Sequence, residues 1–264
     1  MSLAVERYGE GMADCVLVHG WGLNHAVWSD LSARLGAHCR LHAVDLPGHG
    51  SSSAGSGGLD AWAGRLAGVV PGPAVWIAWS LGGVVSLRMA QWRPDRVRAL
   101  VLIDISPRFA VAADWPWGAP ASLLEEFARR LETDFYGLLH EFVALNARGA
   151  QAGAARALRQ LRDAVALAPP TREGLRQGLD ILRTADLRAA LPHVHVPVLV
   201  VNGERDRLTH PQAARWMAQA LPDGEYCGIG GAAHAPFLSH ADVFGDRVID
   251  FLRRRGILPS ADGI

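Results

Sequence analysis

The sequence predicts an α/β fold: a mostly parallel central sheet flanked by helices, with a helical cap insertion. Short Val-, Leu- and Ile-rich runs recur before glycines or polar turns, with helix-like stretches between them, as strands buried on both faces of a parallel sheet require. Between about Pro107 and Leu191 the strand signal gives way to long Ala-, Leu- and Arg-rich stretches, so the insertion belongs there. The 264 residues, half of them apolar and a fifth charged, suit one principal core.

In chain order the clearest strands are residues 15–18, 41–44, 74–78, 100–103 and 198–201, with a last strand near Tyr226. Each runs into a polar or Gly-rich loop, where open α/β sheets place their ligand crevice. The core is therefore expected over residues 1–106 and 192–264, and the cap over 107–191. Residues 121–130 and 154–167 read as cap helices. Pro169-Pro170 should divide the insertion into at least two helical parts, because proline lacks the N–H a helix interior needs. The Ser- and Gly-rich loop 51–58 reads as flexible surface, and the tail after Leu258 is expected to fray.

Basic and acidic residues balance at 26 each, so no overall field draws the chain to nucleic acid or to an anionic membrane. All the basic residues are Arg; with no Lys in the sequence, Schiff-base chemistry and a Lys-bearing phosphate loop are excluded. Cys15, Cys39 and Cys227 are far apart and lack the close pairs of a zinc or redox motif. Residues 1–7 show no basic segment followed by a long apolar one, and no later run approaches 18 apolar residues. A cytoplasmic protein, neither secreted nor inserted in a membrane, is the expectation, a monomer without metal or cofactor.

The stretch from Trp76 to Val85 is a strand turning tightly into a helix around Ser80. Such a turn exposes the hydroxyl and needs small residues two before and two after it, here Ala78 and Gly82. A serine becomes nucleophilic only when a base takes its proton, so a histidine and an orienting acid are required downstream. Asp206 lies just beyond the 198–201 strand, and His234 lies in the Gly-rich loop after the last one. Asp104, at the end of the 100–103 strand, is the rival acid, and the Gly-x-x-Asp turn favours Asp206. The tetrahedral intermediate also needs two N–H donors. Leu81 follows the nucleophile and supplies one; Trp21, in the His19-Gly20-Trp21-Gly22 loop, supplies the other, and its indole can line the pocket.

Over nearly its whole length the chain resembles the α/β-hydrolase superfamily, including the loop at 18–22 and Asp45-Leu46-Pro47-Gly48-His49-Gly50-Ser51. More narrowly it resembles the pimeloyl-acyl-carrier-protein methyl ester carboxylesterase family of biotin synthesis. The residues that carry this are 19–24, Trp79-Ser80-Leu81-Gly82-Gly83, Asp114-Trp115-Pro116, Phe142-Val143-Ala144-Leu145-Asn146 and Ala232-Ala233-His234-Ala235-Pro236-Phe237. The resemblance implies demethylation of a pimeloyl chain held on acyl carrier protein, with Trp21, Ser80, Leu81, His234 and residues Phe142, Val143, Ala144, Leu145 and Asn146 touching substrate. An acidic carrier needs a basic face. From Ala147 to Arg183 seven Arg stand against Asp163, Glu173 and Asp180, a net of +4, and Arg148, Arg156, Arg159 and Arg162 are the candidate contacts. Gly137 and Glu141 occupy positions where the family offers further Arg, and Ala78 replaces the first elbow glycine.

The same triad would also serve a general short-chain esterase or a carbon–carbon hydrolase, distinguished by comparing short methyl esters with diketones. A ligand receptor built on a hydrolase scaffold is the non-enzymatic alternative, since fold does not fix function.

Overall fold

The computed structural model describes residues 2–260; the last part of the tail expected to fray, 261–264, lies outside the described residues. Seven strands form one sheet in the order β1-β3-β2-β4-β5-β6-β7: β1 (Val5–Tyr8), β2 (Ala13–Val18), β3 (Cys39–Val44), β4 (Ala74–Trp79), β5 (Val97–Ile103), β6 (Val198–Gly203) and β7 (Gly224–Ile229). All neighbouring pairs are parallel except β1 with β3. β4 and β6 are buried at every residue, which is why their sequences are continuous apolar runs rather than alternating ones.

The sheet is wrapped by α1 (Ser29–Leu35), α2 (Leu59–Leu66), α3 (Leu81–Trp92), and later by α8 (Pro211–Ala220), α9 (Pro236–Ser239) and α10 (Ala241–Arg254). Between β5 and β6 come four α-helices and no strand of the sheet: α4 (Ala121–Thr133), α5 (Phe135–Ala147), α6 (Ala154–Leu167) and α7 (Arg172–Thr184). Pro169 and Pro170 fall between α6 and α7, and the Thr171 hydroxyl caps α7 by accepting from the Gly174 N–H at 3.0 Å. None of the described helices is long and apolar enough to cross a membrane.

From β2 the chain crosses to β3 on one side, whereas β4 pairs with β2 on the other. Two neighbouring strands whose connections depart in opposite directions leave a crevice at their carboxyl ends. The loop after β2 and the turn after β4 flank that crevice, so the topology alone brings Trp21 and Ser80 to one place.

Candidate active site

Ser80 sits between β4 and α3 with φ +52° and ψ −120°. A non-glycine residue held there is strained, and the surroundings show what holds it. A Cβ on Gly82 would lie 2.3 Å from the His19 carbonyl oxygen, and one on Gly20 would lie 3.2 Å from the Ser80 Cβ. The turn is thus wedged against the loop after β2, and only glycine fits at 82. Ala78 is fully buried with its methyl accommodated, so the departure from the glycine pattern carries no steric penalty there.

His234 arrives from the loop between β7 and α9. Its Nε2 lies 3.1 Å from the Ser80 Oγ and its Nδ1 lies 2.7 Å from Asp206 Oδ2. All three side chains are buried; Ser80 is 7% exposed and His234 1%. The backbone that carries the imidazole is braced, because the Trp79 indole N–H donates to the His234 carbonyl at 2.7 Å. Asp206 Oδ1 accepts from the Leu208 and Thr209 N–H groups at 2.7 and 3.1 Å, and the Thr209 hydroxyl donates to Oδ2. Burial pushes the Asp206 carboxyl up, but His234 and these donors outweigh it and hold the acid below its ordinary range. Sequence reasoning missed Thr209, although an Asp followed three residues later by Thr is a local signal for such a turn.

The rival acid does not take that position. Asp104 accepts from the Asn202 amide at 2.6 Å and the Gly203 N–H at 2.8 Å, whereas the hydrogen bond to the imidazole belongs to Asp206. One oxygen from each acid and one His234 ring nitrogen lie within 4.8 Å of one another. A cation there would have to displace the N–H and O–H donors already aimed at those oxygens, so the arrangement suits a hydrogen-bonded line better than a metal centre.

Leu81 opens α3, where no preceding turn offers its N–H a carbonyl. The Trp21 backbone N–H has no partner among the described residues, and its indole N–H donates to the Leu175 carbonyl of α7 at 2.8 Å. Gly178, one turn further along α7, faces both residues: a Cβ there would lie 2.8 Å from Trp21 and 2.9 Å from Leu81. No local pattern singles out Gly178, because its contacts are more than 90 residues away.

Phe142 of α5 packs edge-on against the Trp21 ring, centroids 4.7 Å apart. Asn146, one turn on, is buried, its amide donating to the Phe142 carbonyl at 2.6 Å while its Oδ1 finds no partner. Because α5 is a helix, five consecutive residues cannot face one point. Val143 lines a cleft of about 230 Å³ with Arg162 and Tyr136. Ala144 and Leu145 line another of about 560 Å³ with Arg148 and Leu158, away from Ser80. Arg148, Arg159 and Arg162 are exposed and make no ion pair among the described residues, whereas Arg156 pairs with Asp30.

The insertion is fastened over these loops. Asn24 donates to the Ala164 and Ala168 carbonyls at 2.6 and 2.9 Å, and the Thr171 N–H donates to the Gly48 carbonyl at 2.8 Å. Gly48 and Gly174 cross so closely that a Cβ on either would meet backbone at 2.5 Å.

The alpha/beta hydrolase family pattern matches residues 15–247. A curated pimeloyl-acyl-carrier-protein methyl ester esterase of Klebsiella pneumoniae is 41% identical over 254 residues, covering 95% of this chain and 98% of the relative. The protein of that name from Nitrosomonas europaea is 40% identical over 245 residues, covering 92% and 96%. Among solved structures, an esterase from Exiguobacterium antarcticum shares the fold at a TM-score of 0.86 with 21% identity, covering 95% of each chain. The chain belongs to the alpha/beta hydrolase family, in the branch of the pimeloyl-acyl-carrier-protein methyl ester esterases.

Proposed function

We propose that this chain is a serine carboxylesterase that removes the methyl group from a pimeloyl chain borne on acyl carrier protein, in biotin synthesis. The observation that carries the reading is the continuous line of buried side chains from Asp206 through His234 to Ser80, at 2.7 and 3.1 Å. The pimeloyl chain and its carrier are supported by the names and the extent of similarity of the curated relatives. In this reading the protein works as a cytoplasmic monomer.

Ser80 Oγ attacks the ester carbonyl as His234 Nε2 takes its proton, and Asp206 holds the Nδ1–H tautomer and stabilises the cation. The carbonyl oxygen becomes an oxyanion facing the Leu81 and Trp21 N–H groups. His234 returns the proton to the departing methoxide, so methanol leaves. Water, deprotonated by the same imidazole, then attacks the acyl-serine and frees the acid. The helices α4 to α7 act as a cap: Phe142 contacts the acyl chain beside Trp21, and Arg148, Arg159 and Arg162 offer free positive charge to an acidic carrier. Arg156 is committed to Asp30 and contributes less.

Purified protein is assayed on the carrier-bound pimeloyl methyl ester and on the free ester. Wild type should prefer the carrier-bound form, Arg159→Glu and Arg162→Glu should erode that preference, and Ser80→Ala should lower kcat by about 10⁶. Substantial hydrolysis by Ser80→Ala refutes the triad, and equal use of both esters refutes the carrier.

A further inference from the structure

The triad leaves one buried acid beside it without a task. Asp104 follows the last residue of β5 and is completely buried. Among the described residues only Asp104 and Ser80 are non-glycine residues with left-handed φ, +47° and +52°. That conformation disfavours an L-residue, although aspartate tolerates it better than most. The backbone is fixed in it by the Asp104 N–H, which donates to the Val201 carbonyl of β6 at 2.9 Å. Its side chain is thereby aimed at the end of β6. There Oδ1 receives the Asn202 amide and the Gly203 N–H, while Oδ2 is buried with no partner. The Asn202 amide also reaches toward Asp206 Oδ2, at 3.5 Å, so it stands between the two acids.

Two carboxyl groups this close, both closed to water, do not both ionise. Asp206 receives two N–H donors, a hydroxyl and the imidazole, so the negative charge rests there. Asp104 keeps the proton: burial first, then the Asp206 charge, raise its carboxyl well above the usual range. A protonated carboxyl must place its O–H somewhere, and Oδ2 is the oxygen without a donor.

We propose that Asp104 is a positioning residue, a neutral carboxylic acid whose Oδ2–H hydrogen-bonds to the Asp206 carboxylate and limits how strongly that carboxylate stabilises the His234 cation. This rests on the triad reading above. No proton is transferred from Asp104 during the reaction; it remains the donor throughout. The titratable groups facing it are Asp206 from the loop after β6, His234 from the loop after β7, and Tyr226 from β7. Beyond Tyr226 lie Glu204 and Arg215, the latter 4.3 Å over the tyrosine ring. Burial holds the Tyr226 phenol above its ordinary value, so it stays neutral across the assay range.

The test is the pH profile of kcat/KM for a methyl ester in wild type, Asp104→Asn and Asp104→Leu, together with infrared difference spectra of wild type against Asp104→Asn. Asparagine keeps the acceptor for Asn202 and Gly203 and offers an N–H where Oδ2–H stood, so its acidic limb should coincide with wild type. Leucine removes the donor, leaves Asp206 more basic, and should move the acidic limb upward by about one pH unit, the scale of one hydrogen bond to a charged group. A downward shift in Asp104→Asn would mean that a negative charge had been removed, and would overturn the proposal. So would an unmoved limb in Asp104→Leu, which would leave Asp104 a packing role only. Should the leucine variant fail to fold, the infrared spectrum decides: a protonated-carboxyl band near neutral pH, lost in Asp104→Asn, is expected, and its absence overturns the proposal. Failure of the triad reading is distinguishable, because Ser80→Ala would then retain hydrolysis while the infrared band stayed in place.

Discussion

Lowering the pH from about 7.5 to about 5 should destabilise the fold by roughly 4 kcal/mol through two histidines beneath the candidate site. His19 is completely buried, with Nδ1 2.7 Å from the Gly20 carbonyl oxygen and Nε2 accepting from the Leu46 N–H at 3.0 Å. One nitrogen donates and the other accepts, so the ring is neutral by its hydrogen bonds alone. His49 is equally buried, its Nδ1 3.0 Å from the Pro47 carbonyl oxygen, its Nε2 unpartnered, and its ring 5.4 Å from that of His19. Burial pushes His19 down to about 4 and His49 down to about 3. Both values lie below the ordinary 6.5, so from 6.5 down to about 4 for His19 and about 3 for His49 the unfolded chain binds protons that the folded chain refuses. Stability is therefore complete above that window and lost as pH falls through it, about 2 kcal/mol per histidine at pH 5, out of a typical 5–15 for a whole protein. His25, raised by its hydrogen bond to Asp45, works in the opposite direction, which is why the measurement is a difference. Urea unfolding of wild type and His49→Asn at both pH values is the assay; asparagine can reproduce the Nδ1–H donor and has nothing at the vacant Nε2. The acid loss should be about 2 kcal/mol smaller in the variant. Equal losses in the two proteins would refute the account.

Asp206→Asn should lower kcat by about 10⁴ with little change in KM, because the amide cannot hold the same imidazole tautomer; steady-state kinetics check it. Gly178→Val forces atoms into space 2.8 Å from Trp21 and 2.9 Å from Leu81, so kcat should fall about 100-fold as the donor pair is displaced; unchanged turnover would show that α7 does not hold that pair in place. Trp79→Phe strands the buried His234 carbonyl and should cost about 1–3 kcal/mol in urea unfolding, with kcat reduced as the loop loosens.

Much of the sheet was legible because its strands are buried on both faces and therefore write continuous apolar runs, at 15–18, 74–78 and 198–201. β1 was not: residues 5–8 are a short edge strand with three exposed positions, so neither a run nor an alternation marks it. The helix α5 was not singled out as a separate element, because it is apolar on most of its circumference and shows no single stripe, whereas α7 does carry one, through Leu175, Leu179 and Leu182, and could have been read from it. Ser80, Asp206 and His234 could be nominated from local turns and chain order. That Asp104 would stand beside Asp206 rather than replace it depends on β5 and β6 being neighbours, which no local pattern encodes. The same holds for Asn24, Gly48 and Gly178, whose partners across the boundary between core and insertion are more than 90 residues distant.

The moorings of the insertion are lopsided, and this decides where the molecule can breathe. The junction of α6 and α7 is tied to the loops after β2 and β3 by directional bonds from Asn24 and to Gly48, and a tie of that kind breaks before it slides. Among the described residues, the side-chain hydrogen bonds of α4 and α5 close within the insertion, and α5 rests on Trp21 and Gly22 through Phe142 and Leu139. Apolar faces can slip without leaving a polar group stranded. The insertion should therefore yield first on the α4–α5 side, while Thr171, bonded to Gly48, keeps the α6–α7 junction in place.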